Sequence, residues 1–257
     1  MVGSRVRAAV GGVVALVLLG ACVPPPGGGG PEPATYAALG DSFSSGEGAG
    51  SYDAEPESCK RSAFAWPRVI DAQVDLRACS GADVAEVGTQ IPGEANTNVT
   101  LVTLTAGGND AGFGDIFQAC LLGACPSPTD PAFVADLAAM QAALGVLYGQ
   151  LDSAYPSARV VHVGYPRLTP PPGDSVGACF WLPPADQAAA AAIVDTINDA
   201  IEAAVDASST DVEFLDVTDA FEDHELCTAQ PWVSLVAGAH PNLAGQQALA
   251  SEVSAAI

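Results

Sequence analysis

Short apolar or β-branched runs alternate along this chain with long segments of helical hydrophobic periodicity. This alternation limits the possible folds, because strands separated by such helices pair in parallel and need helices on both faces of the sheet. The strand-like runs cover residues 35–39, 73–79, 98–105, 158–163 and 212–217, and the helical segments cover 132–155, 184–207 and 243–257. The sequence shows no internal repeat and therefore predicts one α/β domain over residues 35–257, a three-layer sandwich around a central, mostly parallel five-stranded sheet.

The N-terminal region has the pattern of an export signal followed by a tether. Two arginines precede an apolar run, 8–19, which is too short to span a membrane and ends in small residues at Cys22. This pattern resembles the bacterial lipobox, so we expect residues 1–21 to be a lipoprotein signal peptide and Cys22 to carry the lipid. An ordinary cleavage site that contains a cysteine is the alternative. Residues 22–34 are rich in Pro and Gly and predict a tether. The protein is then expected at the outer face of the cell membrane or secreted.

The charge balance argues against a nucleic-acid partner and against binding to anionic membrane head groups. Eight Lys and Arg face 30 Asp and Glu, which gives a formal net charge of −22. A chain this acidic repels a nucleic acid. Removal of the leader would take away two of the basic residues and no acidic one. So strong a charge keeps the body soluble and away from anionic head groups, and we expect a monomer that touches the membrane only through the lipid on Cys22.

The remaining cysteines indicate disulfide bonds. Six follow Cys22, and an even number in an exported chain favours pairing over free thiols. Spacing alone favours only Cys120 with Cys125. The chain has neither a CxxC pair nor a histidine-rich tract, and its acidic residues are scattered, so we expect no metal site and no cofactor.

Polar residues and glycines follow the predicted strands, where the chemistry of a parallel sheet collects. Ser42 follows the first strand in Gly40-Asp41-Ser42, and Asn109 follows the third after two glycines. Each has an ordinary alternative, because serine caps helices and asparagine forms turns. His240 lies in a loop before the last helix, where it could act as a base. His162 lies inside a strand and is better explained by packing, and His224 lies among carboxylates.

Four blocks in this order resemble those of the SGNH (GDSL) hydrolase family. They are Gly40-Asp41-Ser42, Gly81, 107–110 and His240-Pro241-Asn242, and the resemblance extends from about residue 36 to the end. The chain looks closest to the actinobacterial secreted esterases and lipases of that family, which share the stretches 39–48, 66–67 and 164–166 and six cysteines. Those relatives imply the pairs Cys59–Cys79, Cys120–Cys125 and Cys179–Cys227 here.

The resemblance also implies roles for individual residues. Ser42 would be the nucleophile and His240 the general base. The backbone N–H groups of Ser42 and Gly81 and the side-chain amide of Asn109 would form the oxyanion hole. Acyl transfer needs such a base and such donors, so the chemistry of these residues agrees with the assignment.

One position departs from the family pattern. Many members have an Asp three residues before the histidine, but this chain has Ala237 there. We therefore expect a Ser–His dyad in which the carbonyl of Ala237, or of a neighbour, accepts the ring N–H. A remote acid, Asp216 or Asp219, is the alternative. Asp41 and Asp110 are expected to brace the loops.

The leading functional hypothesis is an exported hydrolase of acyl esters, either an esterase or a lipase. A phospholipase or a polysaccharide deacetylase could use the same site, and a non-catalytic surface lipoprotein that binds glycan or lipid is the alternative from another class. Two apolar stretches either line the acyl site or belong to the core. They are Phe113, Phe117, Leu121 and Leu122, and the run 180–182.

Overall fold

The centre of the molecule is a parallel β-sheet. The computed structural model describes residues 34–171, 179 and 181–257, so the predicted leader, the tether, Cys22 and Phe180 lie outside the described residues. The five strands are β1 (Tyr36–Gly40), β2 (Asp75–Leu76), β3 (Leu101–Thr105), β4 (Arg159–Val163) and β5 (Val212–Leu215). Their order is β2-β1-β3-β4-β5, and every neighbouring pair is parallel. The predicted fold class is confirmed.

Helices cover both faces of the sheet. They are α1 (Ser42–Ser45), α2 (Trp66–Ile70), α3 (Val84–Thr89), α4 (Phe113–Leu121), α5 (Pro131–Ala154), α6 (Pro184–Asp206) and α7 (Leu243–Ala256), with a 3₁₀ turn at Glu57–Cys59. Helix α5 packs against α3 and α6, whereas α2 packs against α7. Strand β1 shows why two layers are needed, because Ala37 and Leu39 enter the main core while Tyr36 and Ala38 enter a second, smaller core.

The three long helices match their predicted bounds to within one residue, because each has both an apolar stripe and a clear start. Helix α5 begins with Pro131 after the capping residue Asp130, whose side chain accepts from the N–H of Ala132. Within the described residues α5 is also the helix long and apolar enough to cross a membrane, with a mean hydropathy of 1.5. Its apolar stripe, from Phe133 to Leu151, is buried in the main core.

Strand β2 is shorter than the predicted run of 73–79. The N–H groups of Arg77 and Ala78 both donate to the carbonyl of Ala38, and the N–H of Cys79 then donates to Gly40. Two residues therefore oppose one, which is the pattern of a β-bulge, and the bulge ends the regular ladder while the chain continues beside β1.

A small hairpin and three disulfides complete the fold. Strands β6 (Val233–Ser234) and β7 (His240–Pro241) pair antiparallel, with Ser234 opposite His240. Among the described residues there are three disulfides, and their pairing is the one that the resemblance implies: Cys59–Cys79, Cys120–Cys125 and Cys179–Cys227.

Candidate active site

The candidate site lies where the direction of chain winding reverses. Strand β1 has β2 on one side and β3 on the other, and such a switch point leaves a crevice at the carboxyl ends of the strands. Gly40 and Thr105 are paired there at the ends of β1 and β3. A Cβ on Gly40, at φ +127°, would lie 2.4 Å from the carbonyl oxygen of Thr105. Only glycine therefore lets the two strands end side by side and bring Ser42 next to the β3 loop.

Asp41 holds the turn that carries Ser42. Its carboxylate caps α1 by accepting from the N–H of Phe43 at 3.0 Å. It also accepts from the hydroxyl of Thr105 at 2.7 Å and from that of Tyr165 at 2.5 Å. Burial raises the pKa of Asp41, and these hydrogen bonds oppose that rise. The carboxylate thus joins three segments of chain and acts as the brace that the sequence predicts.

The hairpin aims His240 at Ser42. Nε2 of His240 lies 2.6 Å from Oγ of Ser42, and Nδ1 lies 2.5 Å from the carbonyl oxygen of Ala237. A carbonyl can only accept, so Nδ1 carries the proton and Nε2 accepts the hydroxyl proton of Ser42. The turn that makes this possible has positive φ at Gly238 and Ala239. The structure therefore brings together the two residues predicted to react, which are 198 positions apart.

Neither alternative acid contacts His240. The carboxylate of Asp216 accepts from the N–H of Thr218, and Asp219 pairs with Arg167. The carbonyl of Ala237 occupies the position that a triad acid would take.

The loops after β2 and β3 meet beside Ser42. The side-chain amide of Asn109 donates one N–H to the carbonyl of Ala82 at 2.8 Å, which leaves its second N–H free to donate elsewhere. The carboxylate of Asp110 accepts from the N–H of Val84 at 3.0 Å, and burial raises the pKa of Asp110. These two contacts tie the β3 loop to the β2 loop that contains Gly81, which has φ +81°.

An apolar pocket opens beside Ser42 and His240. Of the predicted apolar residues Phe113 lines it, whereas Phe117 is in the core and Leu122 is 80% exposed. Leu121 and Trp181 pack against the core, and Leu182 is fully buried in it. The other apolar residues that line the pocket were not predicted to do so, and they are Phe43, Tyr165, Pro166, Leu168, Val194, Ile197 and Ala239. The helical stripe of α6 was recognised in the sequence, but nothing there showed that two of its residues face the site.

Sequence reasoning also missed Glu47. Its carboxylate accepts a hydrogen bond from the hydroxyl of Ser80 and lies 3.9 Å from Nε2 of His240. Glu47 lies in the stretch 39–48 that the family shares, but nothing in the sequence showed that its side chain reaches Ser80 and His240, because these contacts join loops that are distant in sequence.

The other two histidines lie elsewhere. His162 is fully buried, with Nδ1 accepting from the hydroxyl of Tyr148 at 2.8 Å and Nε2 donating to the carbonyl of Ala106 at 3.1 Å. Burial lowers its pKa to about 4. His224 stacks on the ring of Trp232 with 3.7 Å between centroids. Among the described residues no group of three or more His, Cys, Asp or Glu side chains is arranged to hold a metal ion.

Comparisons with known proteins agree with this geometry. Residues 38–248 match the GDSL-like Lipase/Acylhydrolase family. The chain is 38% identical to a lipase of Streptomyces rimosus over 225 residues, which cover 82% of each protein. It is 35% identical to Lipase 1 of Streptomyces coelicolor over 231 residues, again 82% of each.

Solved structures give the same result. The extracellular lipase of S. rimosus is matched with a TM-score of 0.70 at 34% identity, over 86% of this chain and 99% of that one. Phospholipase A1 of Streptomyces albidoflavus NA297 is matched with a TM-score of 0.70 at 32% identity, over 86% and 98%. The chain therefore belongs to the GDSL-like lipase/acylhydrolase family, the SGNH hydrolases, and is a carboxylic-ester hydrolase.

Proposed function

We propose that the protein is an exported serine hydrolase that cleaves acyl esters with a Ser42–His240 dyad. The observation that carries the proposal is the continuous hydrogen-bonded chain from Oγ of Ser42 through the imidazole of His240 to the carbonyl of Ala237. This chain connects a nucleophile to a base and the base to a group that orients it, which is the arrangement that acyl transfer needs.

The reaction follows from these contacts. Ser42 gives its hydroxyl proton to Nε2 of His240 while Oγ bonds to the acyl carbon, and the electrons of the C=O double bond move to the carbonyl oxygen, which becomes an oxyanion. The N–H groups of Ser42 and Gly81 and the free N–H of Asn109 are the donors proposed to stabilise that charge. Nε2 then returns the proton to the departing alcohol as the C–O bond breaks. Water, activated in the same way by His240, releases the acid from Ser42.

The pocket favours an apolar acyl chain. Its wall is mainly aliphatic and aromatic, with Phe113, Leu168 and Ile197 among the lining side chains. We propose an esterase or lipase as the main activity. A phospholipase is the second candidate, because one of the matched structures is a phospholipase A1 at 32% identity.

A chain-length series tests the proposal. The oxidised fragment from residue 23 onward is assayed with p-nitrophenyl esters from acetate to palmitate, beside Ser42→Ala and beside Asp216→Asn and Asp219→Asn. Turnover should vanish in the first variant and persist in the other two. Loss of turnover in a folded Asp variant would replace the dyad by a triad. If a fluorophosphonate probe failed to label the folded protein, the hypothesis of a non-catalytic lipoprotein would be favoured.

Export and lipidation form a separate part of the proposal. Three disulfides suit an oxidising compartment, and one matched relative is described as an extracellular lipase. We propose that residues 1–21 are removed and that Cys22 carries the lipid, with 22–34 as the tether. Metabolic labelling with a radioactive fatty acid should mark the wild type and not Cys22→Ala. Labelling of neither would leave an ordinary secreted protein.

A further inference from the structure

Glu47 is fixed between the proposed base and the oxyanion-hole loop. It follows Gly46, which ends α1 in the left-handed conformation at φ +85°, and its own N–H donates to the carbonyl of Ser42 at 3.1 Å. Its carboxylate is bound by the hydroxyl of Ser80, the residue before Gly81, and its side chain is 23% exposed. Among the described residues no lysine or arginine forms an ion pair with it. A negative charge therefore stands at the rim of the site with one face open to solvent.

The position of the pocket shows which part of an ester meets this charge. The apolar walls that suit an acyl chain include Phe113, Leu168 and Ile197, and Glu47 is not among the residues that line the pocket. The alcohol portion has to leave past Nε2 of His240, because that nitrogen supplies its proton. An oxygen of Glu47 lies 3.9 Å from this nitrogen. The acyl chain thus enters the pocket, and the alcohol portion passes the carboxylate.

We infer that Glu47 is a specificity-determining residue that selects esters by the charge of their alcohol portion. Esters of hydroxyl-bearing or cationic alcohols are accepted, and esters whose alcohol carries an anionic group such as a phosphate are rejected. The inference therefore favours the esterase or lipase over the phospholipase candidate, whose substrates carry a phosphate in the alcohol portion. A carboxylate accepts hydrogen bonds from hydroxyl and ammonium groups and repels a phosphate at the same distance. The inference rests on the proposed function, since it concerns the alcohol released by the Ser42–His240 dyad. Glu47 takes up no proton in this scheme and acts only through contact and charge.

A set of three butyrate esters isolates the effect, because only the alcohol portion changes. They are 1-monobutyrin, butyryl glycerol 3-phosphate and butyrylcholine, each assayed for kcat/KM near neutral pH and at low ionic strength. The matched control is Glu57→Gln, which removes the same charge from an exposed residue of the 3₁₀ turn. It separates the local effect of Glu47 from that of the overall negative charge.

The wild type should hydrolyse the phosphate-bearing ester at least about tenfold more slowly than monobutyrin, and salt should narrow the difference. Glu47→Gln should raise the rate ratio of the phosphate ester to monobutyrin by about tenfold and lower the rate on butyrylcholine relative to monobutyrin. Glu47→Lys should raise the relative rate on the phosphate ester and lower that on butyrylcholine further than Glu47→Gln does, so the test does not depend on one variant. Glu57→Gln should leave the ratios unchanged.

Other results separate the possible errors. If Glu47→Gln slows all three esters by one factor and leaves their ratios unchanged, the selectivity inference is wrong and Glu47 merely supports the charge on His240. If none of the esters, the p-nitrophenyl series included, shows hydrolysis that depends on Ser42, the proposed function itself has failed. Normal Ser42-dependent hydrolysis with equal rates on all three alcohols in the wild type would overturn the inference alone.

Discussion

The buried imidazole of His162 should make the free energy of unfolding depend on pH. Burial lowers its pKa from 6.5 to about 4 in the folded protein, whereas the ring titrates near 6.5 in the unfolded chain. Between pH 4 and pH 6.5 the imidazole is therefore protonated in the unfolded state and neutral in the folded state. The stabilisation is therefore complete above about pH 6.5 and is lost as the pH falls towards 4. A difference of this size corresponds to about 3 kcal/mol.

His162→Gln removes the titrating group and keeps a polar side chain near the carbonyl of Ala106. Urea unfolding, followed by tryptophan fluorescence from about pH 4 to 7.5, gives the free energy of unfolding for both proteins. Because the carboxylates titrate equally in both, the stability advantage of the wild type should shrink by about 3 kcal/mol from the top of this range to the bottom. Tyr148→Phe, which removes the hydroxyl bonded to Nδ1 but leaves the ring buried, should keep the slope. A constant difference between wild type and His162→Gln would refute the reasoning.

Three further changes test the site and the covalent frame. Asn109→Ala should lower kcat by roughly a hundredfold, because it removes one of the proposed oxyanion donors. Steady-state kinetics showing only a higher KM would contradict this role. Tyr165→Phe removes a hydrogen bond to the buried carboxylate of Asp41 and should cost about 1.5–3 kcal/mol in urea unfolding; an unchanged midpoint would deny Asp41 its bracing role. Replacing Cys179 and Cys227 by serine removes a disulfide between residues 48 apart in sequence and should lower the free energy of unfolding by about 4 kcal/mol. The same change at Cys120 and Cys125 should lower it by about 2 kcal/mol, because that loop is much shorter. Equal losses would contradict the chain-entropy argument.

The parts of the fold that follow one period could be predicted from the sequence. Helices α5 and α6 each keep one apolar stripe over more than twenty residues, so their bounds came within one residue. The short helices α1 to α4 were not predicted, because four to nine residues carry too little periodicity and depend on tertiary contacts. Helix α3 had a local signal that could have been used, since Asp83 and Glu86 form a capping box at its start.

The candidate site also has a part that could be predicted from the sequence and a part that could not. Ser42 and Asn109 could be located because each follows a predicted strand, and parallel strands end at one edge. His240 could be located before the last helix, and the resemblance to the family implied the roles of all three. The pocket could not, because Leu168 and Ile197 reach it from a loop and from the middle of a helix. The spacing of these two residues along the chain does not show that both side chains would line the same pocket.

The structure shows how the proposed base, His240, is held in place without an acid on Nδ1. Such an acid fixes the orientation of the ring and stabilises its positive charge. Orientation is provided by the carbonyl of Ala237 and by the loop at Gly48, where a Cβ would lie 3.1 Å from Cβ of His240. Negative charge that could stabilise the imidazolium comes from elsewhere, because an oxygen of Glu47 lies 3.9 Å from Nε2 of His240 and the buried carboxylate of Asp41 interacts electrostatically with the ring. A backbone carbonyl cannot be removed by a side-chain substitution, so this dyad should tolerate changes around Ala237 that would disable a triad and should instead be sensitive to the turn that presents the carbonyl.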